Sequence, residues 1–350
     1  MSVEDVIVLF GGTSSERRVS VASGQNVLGA LPQAQAWFLS PEGEVFICKR
    51  ERVLNHARPF ELDFTLEGEA DFATVVDAFD SEDARQAVLF LALHGGEGED
   101  GALQGDLEAR KLAFTGSGAS ASARAFDKSE AKKLAVGRGV AVAPGWDLET
   151  MGEKELVAWL TPKLAEQKRL VLKPVADGSS VGLFHLKNAA DIPAVARDIV
   201  KTGVRYVAEA FIPGRELTVG VIEEKGQAMA LPVSEVRVEG EGSFDYECKY
   251  LGKGTQEITP AEITEPEAQA AQAMALAVHS VVGCEGYSRT DMILTPGGPV
   301  FLEINTLPGL TKASFIPQQL QASGRTLQDF LQAQIALAVA RRDVAHKRSA

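Results

Sequence analysis

The sequence predicts an α/β protein that opens with a doubly wound parallel sheet, and three observations carry that expectation. Val6 to Phe10 (VIVLF) is a short apolar run that passes into Gly11-Gly12-Thr13-Ser14-Ser15, after which a helix starts with Glu16 in its first turn. Residues 87–95 (AVLFLALHG) repeat the design, running into the loop GEGEDG and then the helical stretch ALQGDLEARKL. A buried strand, a glycine loop and a helix, met twice, describe a parallel sheet with helices on its faces. The third observation is a change of texture after residue 169, where β-rich runs alternate with Pro/Gly turns. Sheets of the first kind bind ligands at the carboxyl ends of their strands, where both glycine loops fall.

The remaining elements follow in order. Small residues crowd 115–123, and Asp127 with Glu130 then forms a D-x-x-E helix start. Gly137 and Gly139 suit the end of that helix. A domain boundary is expected near residue 118. RLVLKPV (169–175) reads as a strand followed by the loop ADGSSVG, and RYVAEAF, ELTVGVI and QAMALPV read as strands joined by the turns IPGR and EEKG. Residues 239–260 show no period and read as a long loop, a length often used for lids. An alanine-rich helix (267–282) precedes a hairpin, and the chain closes on a helix with a basic tail.

The totals exclude several classes. A length of 350 residues favours two or three domains at about 150 each. The net charge of −13 argues against nucleic acid or anionic membrane as a partner. Cys48, Cys248 and Cys284 are odd in number and far apart, so neither a disulfide framework nor a zinc site is expected, and a reducing cytoplasm fits. No apolar run approaches the roughly 18 residues of a membrane span, and the N-terminus lacks the marks of a signal peptide.

The hairpin RTDMILTPGGPVFLEIN (289–305) poses the sharpest chemical question. If its turn is centred on Gly297, Leu294 faces Val300 and Asp291 faces Glu303, while Asn305 shares the face of Glu303 because side chains alternate along a strand. Like charges directly opposite destabilise a sheet. Buried carboxylates must take up a proton or find a cation, and three hard oxygens suit Mg²⁺. The same residues also fit a solvated hairpin with acids at its edge.

Other stretches carry two readings each. Gly178-Ser179-Ser180-Val181-Gly182 is either a plain turn or an anion nest, and Lys173 in the preceding apolar strand favours an anionic partner. Lys128 sits at a helix start, where the helix dipole disfavours a cation, yet it could simply be solvated. Glu209 and Glu216 straddle the turn Ile212-Pro213-Gly214-Arg215 as diagonal neighbours roughly 7–8 Å apart, able to take an adenine amino group and ribose hydroxyls, or merely exposed. Gly116-x-Gly118-x-x-Ala121 is rejected as a dinucleotide fingerprint because no acidic residue follows at the required distance. His94 with Glu97, Glu99 and Asp100 is rejected as a metal site, since acids at a helix start explain the last two.

Together, LFGGTSSERRVS (9–20), HGGEGEDGALQG (94–105), FTGSG (114–118), DK (127–128), KPVADGSSVG (173–182), EAFIPGRE (209–216), FDYECKY (244–250), SRTD (288–291) and EINTLPGLTKASFIP (303–317) resemble the D-alanine–D-alanine ligase family of the ATP-grasp superfamily, in the family's order. The resemblance implies a three-domain ATP-grasp fold: 1–118 binding substrate, 119–208 the central ATP-grasp unit, and 209–350 the C-terminal ATP-grasp and metal-binding unit. It implies ATP, two Mg²⁺ ions (Mn²⁺ being an alternative), D-alanine as substrate, a homodimer and a cytoplasmic location. Asp291, Glu303 and Asn305 resemble the metal ligands. Lys128, Lys173, Ser179 and Lys249 resemble the groups around the nucleotide phosphates, and Glu209 and Glu216 the adenine and ribose contacts. Glu16 would take the first D-alanine's ammonium and His94 would approach its carboxylate. Arg289 and the N–H of Gly309 resemble an oxyanion hole. Ser314, with Arg289, would hold the second D-alanine. Glu16, Ser179 and Tyr250 would tie down a lid formed by residues 239–260, and FDYECKY resembles the branch whose nucleophile is an amine. Two other functions compete: an ATP-grasp ligase for different substrates, and a non-catalytic nucleotide-binding regulator.

Overall fold

A computed structural model describes residues 5–176, 182–238 and 255–349. The first sheet contains β1 (Val6–Gly11), β2 (Gln35–Leu39), β3 (Val45–Cys48), β4 (Val88–Leu91) and β5 (Ala113–Phe114), in the order β3-β2-β1-β4-β5. Its pairings are parallel except at the β3 edge, which returns against β2 through a tight turn. Four consecutive residues of β4 are buried, which is why AVLFL reads as an unbroken apolar run. At the carboxyl end of β1, Gly11 has φ +98°, and a Cβ there would sit 2.3 Å from the Leu39 carbonyl oxygen, so only glycine fits. Its N–H donates to Ser20 Oγ, whose hydroxyl donates to the Ala92 carbonyl, tying both glycine loops together.

The central sheet is antiparallel: β6 (Gly145–Leu148), β7 (Leu170–Pro174), β8 (Phe184–Leu186) and β9 (Tyr206–Ala210), ordered β6-β9-β7-β8. The third sheet contains β10 (Arg215–Glu224), β11 (Gln227–Ala230), β12 (Ser234–Val238), β13 (Thr255–Ile258), β14 (Tyr287–Thr295) and β15 (Gly298–Asn305). Its path is β13-β12-β10-β14-β15, with β11 against β10.

This arrangement corrects one expectation. Glu209 and Glu216 are not diagonal neighbours on a hairpin, because β9 pairs with β6 and β7 while β10 pairs with β11, β12 and β14. The segment 211–214 carries the chain from one sheet to the other, and a boundary at 208/209 would cut through β9.

Among the described residues the three larger apolar cores mirror the three sheets, but the first reaches beyond its own residues. Tyr287, Leu307, Leu310, Ile316 and Phe330 pack into the core built on Ile7, Phe10, Trp37 and Phe90. C-terminal elements therefore press against the first sheet, closing a cleft between it and the third. The Glu265–Val282 helix lies under the third sheet and carries a complete capping box at Thr264 and Glu267.

Candidate active site

The β14–β15 hairpin forms the floor of the cleft. Its observed register pairs Asp291 with Glu303, as expected, but by a different route. Thr295 pairs with Gly298 across a two-residue turn, so Ile293, not Leu294, faces Val300. A β-bulge between Asp291 and Met292 then admits Leu302 as an extra residue and restores the acid pair. Asn305 faces Arg289. With period-two alternation, Arg289, Asp291, Glu303 and Asn305 share one face with Glu216 and Thr218 of β10, and all six line one cleft.

The protein supplies its own cations to the facing acids. Arg289 grips Asp291 with two bonds, Nε to Oδ1 at 2.9 Å and Nη2 to Oδ2 at 2.7 Å. The Thr218 hydroxyl donates to Asp291 Oδ1 at 2.5 Å. Lys128 Nζ lies 3.5 Å from Glu303 Oε2. Asp291 and Glu303 thus each meet a cationic side chain of the protein itself. The donor set still suits a hard cation: two carboxylates and the Asn305 amide on one face. Asn305 Oδ1 already accepts the Leu307 N–H, which fixes its direction. Among the described residues no three His, Cys, Asp or Glu side chains converge as a cage. Mg²⁺ needs few protein ligands when phosphates supply the rest.

The first sheet and the 306–314 loop form the opposite wall. Glu16, His94, Gly309 and Ser314 line the same cleft. Glu16 precedes the Arg17–Ala30 helix and is buried against Gly95, where φ is +67° and a Cβ would come within 2.7 Å of Glu16 Oε2. His94 is anchored from both sides at the cleft. Its Nδ1 lies 2.8 Å from the Leu307 carbonyl, which can only accept, and its Nε2 lies 2.8 Å from Ser23 Oγ. Both ring nitrogens are thereby engaged within the protein. Ser23 Oγ accepts from Leu310 N, and Asn26 donates to Leu310 O. His94 and the Arg17–Ala30 helix hold the loop that presents Gly309. Ser314 Oγ accepts the Thr311 N–H at the start of the Phe315–Ala322 helix.

Lys173 and Glu209 do not line that cleft. They meet in a sealed cluster between the Lys128–Gly137 helix and the central sheet, with Lys173 Nζ 3.1 Å from Glu209 Oε2. Lys132 pairs with Oε1 of the same carboxylate. Burial works against ionisation of Glu209, but the Lys173 and Lys132 ammoniums hold its carboxyl below the usual range. Burial, followed by repulsion from Lys173, brings Lys132 down to about 8.

Sequence reasoning missed Lys132, Thr218 and Glu257, yet signals existed for two of them. Lys132 stands one helical turn beyond Lys128, and Thr218 two strand positions beyond Glu216. Glu257 on β13 also lines the cleft, with burial pushing its carboxyl up. Glu99 is buried as well and accepts the Gly95 N–H, whereas Asp100 accepts from Ala102 N at a helix start as expected. Ser179, Lys249 and Tyr250 lie outside the described residues, as does most of the expected lid.

A largely parallel sheet joined to two antiparallel sheets, with acids, an amide and cations facing a shared cleft, defines an ATP-grasp protein. Comparison narrows the class. The family models for the D-ala D-ala ligase N-terminus and C-terminus match residues 5–117 and 142–336. A D-alanine–D-alanine ligase of Leptospira interrogans is 34% identical over 341 residues, covering 93% of this chain and 95% of that protein. Among solved structures, the VanG D-Ala:D-Ser ligase of Enterococcus faecalis superposes with a TM-score of 0.79 at 27% identity, covering 96% of this chain and 99% of that one. The D-alanine–D-alanine ligase of Coxiella burnetii shares the fold with a TM-score of 0.80 at 24% identity, covering 99% and 97%. The chain belongs to the D-alanine–D-alanine ligase family.

Proposed function

We propose that this protein joins two D-alanines into D-alanyl-D-alanine at the expense of ATP, as a step in peptidoglycan precursor synthesis. ATP phosphorylates the carboxylate of the first D-alanine, the amine of the second attacks the resulting acyl phosphate, and phosphate leaves. The observation that carries this reading is the single face of Arg289, Asp291, Glu303 and Asn305 looking across one cleft at Glu16 and the Gly309 loop. Phosphoryl transfer asks mainly for positioning and charge neutralisation, and this face offers both.

Each described group then has a part. Glu16 is an anion placed to receive the first substrate's ammonium. Arg289 and the Gly309 N–H are donors placed for negative charge that develops on the attacked carbonyl oxygen. Ser314 completes the seat of the second substrate. Asp291, Glu303 and Asn305 would hold Mg²⁺, which supplies charge neutralisation to the phosphates. Glu209 and Glu216 serve the adenine and ribose, with Lys128 and Lys173 serving the nucleotide from the central unit. Ser179, Lys249 and Tyr250 are assigned to the phosphoryl group and lid from the family resemblance alone. Excluding water is the physical reason for a lid, since an acyl phosphate hydrolyses.

Among the described residues no helix is long and apolar enough to cross a membrane. A cytoplasmic homodimer is the arrangement proposed here. The domain assignment proposed is substrate binding by 1–118 and nucleotide and metal binding by the two following units. The test is phosphate release with ATP, Mg²⁺ and D-alanine, against L-alanine and against D-alanine plus D-serine or D-lactate. Release dependent on D-alanine alone, with the dipeptide recovered, is the expected result. Absence of D-alanine-dependent release would refute the assignment.

A further inference from the structure

In the buried cluster two lysines meet a single carboxylate. Lys132, Lys173 and Glu209 are all at least nine-tenths buried, at 8%, 8% and 3% exposure. Each oxygen of Glu209 meets one ammonium, Lys132 from the Lys128–Gly137 helix and Lys173 from β7. Two buried cations on one buried anion are costly, because an unmatched charge loses hydration without a full partner. Burial first, and repulsion from Lys173 second, bring Lys132 down, while both ammoniums favour the charged form of Glu209.

We infer that Lys132 is a further positioning residue of the nucleotide subsite, gripping Glu209 from the helix side so that its carboxylate is presented as a fixed acceptor to the amino group of the base. The inference rests on Glu209 being the adenine contact and therefore on the function proposed above. A carboxylate bound on one oxygen alone can swing about its terminal torsion, which is soft. Bound on both oxygens, it cannot. Each oxygen retains a second acceptor site, so the base amino group can be received without breaking either ion pair. Such an acceptor favours a base with an amino group at the contacted position over one with a carbonyl oxygen.

The charged groups around Lys132 are Lys128 on its own helix, Lys173 on β7, Glu209 on β9 and, across the sheet junction, Glu303 on β15. Lys133 and Ser129 turn instead toward Asp147 on β6.

The experiment measures ATP affinity by calorimetry in Mg²⁺ buffer without D-alanine, from pH 6.5 to 9.5, and steady-state kinetics with ATP and GTP. Lys132→Met should weaken ATP binding roughly tenfold, the scale of one charged hydrogen bond, with kcat within about twofold and a smaller preference for ATP over GTP. Wild-type affinity should decline as pH rises through about 8, where Lys132 loses its proton, and Lys132→Met should show no such inflection. Lys132→Arg should restore binding and abolish the inflection, since arginine does not lose its proton in this range. Unchanged affinity and base preference in Lys132→Met would overturn the inference. Should that variant not fold, an inflection persisting in Lys132→Arg overturns it instead. A wild-type protein that binds ATP yet releases no phosphate with D-alanine sinks the proposed ligase function while leaving the binding arm to judge Lys132.

Discussion

Two charge clusters stand a few strands apart and are built on opposite principles. On the β14–β15 hairpin each facing acid meets a cation: Asp291 has Arg289 and Glu303 has Lys128, all facing an open cleft. In the Lys132–Glu209–Lys173 cluster two cations share one acid, and none of the three lines that cleft. A set in which each acid has its own cation, set against an open cleft, can exchange one cation for another at modest cost. A sealed set with surplus charge cannot relax and therefore holds one geometry. The hairpin is suited to receive ions and phosphates that come and go, the sealed cluster to fix a direction. Deleting one cation from each should consequently produce very different losses.

The largest effect is expected from Arg289→Met. It removes a donor aimed at the reacting centre and strips Asp291 of its bidentate partner. kcat should fall by roughly 10²- to 10³-fold, the scale of one lost oxyanion donor, against at most twofold for Lys132→Met. Thermal stability should also fall, because Asp291 is left buried with only Thr218. Added Mg²⁺ should raise the Tm of Arg289→Met more than that of wild type, since the ion then neutralises an unmatched acid. Equal Mg²⁺ responses would break the comparison by showing that Asp291 and the ion do not meet.

Glu303→Gln comes next. The acid loses its charge but keeps its shape, and Lys128 loses an ion-pair partner at 3.5 Å. The Mg²⁺ concentration for half-maximal activity should rise about tenfold to a hundredfold, read from metal titrations of phosphate release. An unchanged midpoint would remove Glu303 from the metal site.

How much of this was legible beforehand depends on the range of the interaction. The first sheet declared itself because β1 and β4 are buried on both faces and their glycine loops are local features. The acid pair of the hairpin was legible for a less comfortable reason. The turn is one residue tighter than a centre at Gly297 implies, and the bulge at Leu302 offsets that difference, so Asp291 meets Glu303 by two departures that cancel. Alternation alone does not reveal a bulge. The supposed Glu209–Glu216 hairpin failed because a Pro-Gly segment looks the same whether it turns a strand back or hands it to another sheet. The anchoring of His94 was hidden for a related reason: its partners Ser23 and Leu307 are distant in sequence, and nothing local announces that both ring nitrogens are engaged.

Thr218→Val tests the hairpin on a finer scale. The hydroxyl donates to Asp291 Oδ1, an oxygen that Arg289 Nε already serves. Removing a shared donor leaves the acid satisfied, so the loss should be of order 1 kcal/mol, a fewfold change in kcat/KM. A drop as large as that of Arg289→Met would show that Thr218 sets the direction of Asp291, and the hairpin would then resemble the sealed cluster.

The smallest effect, and opposite in sign, concerns Glu257 on β13. It lines the same cleft, but burial outweighs its bond from Gln318 Nε2 and the attraction of Arg289, raising its pKa. A raised carboxyl binds protons more tightly folded than unfolded. Stability therefore falls as pH climbs from the unfolded pKa through the folded one, and the penalty is complete at neutral pH. Glu257→Gln removes that charge while its amide oxygen still accepts from Gln318. Its Tm should exceed that of wild type by about 1–2 °C at pH 7, and the difference should vanish near pH 4 (about the unfolded value), checked by thermal melts at both. A lower Tm at pH 7 would mean that attraction to Arg289 outweighs burial, and every acid on this face would then belong to one balanced network.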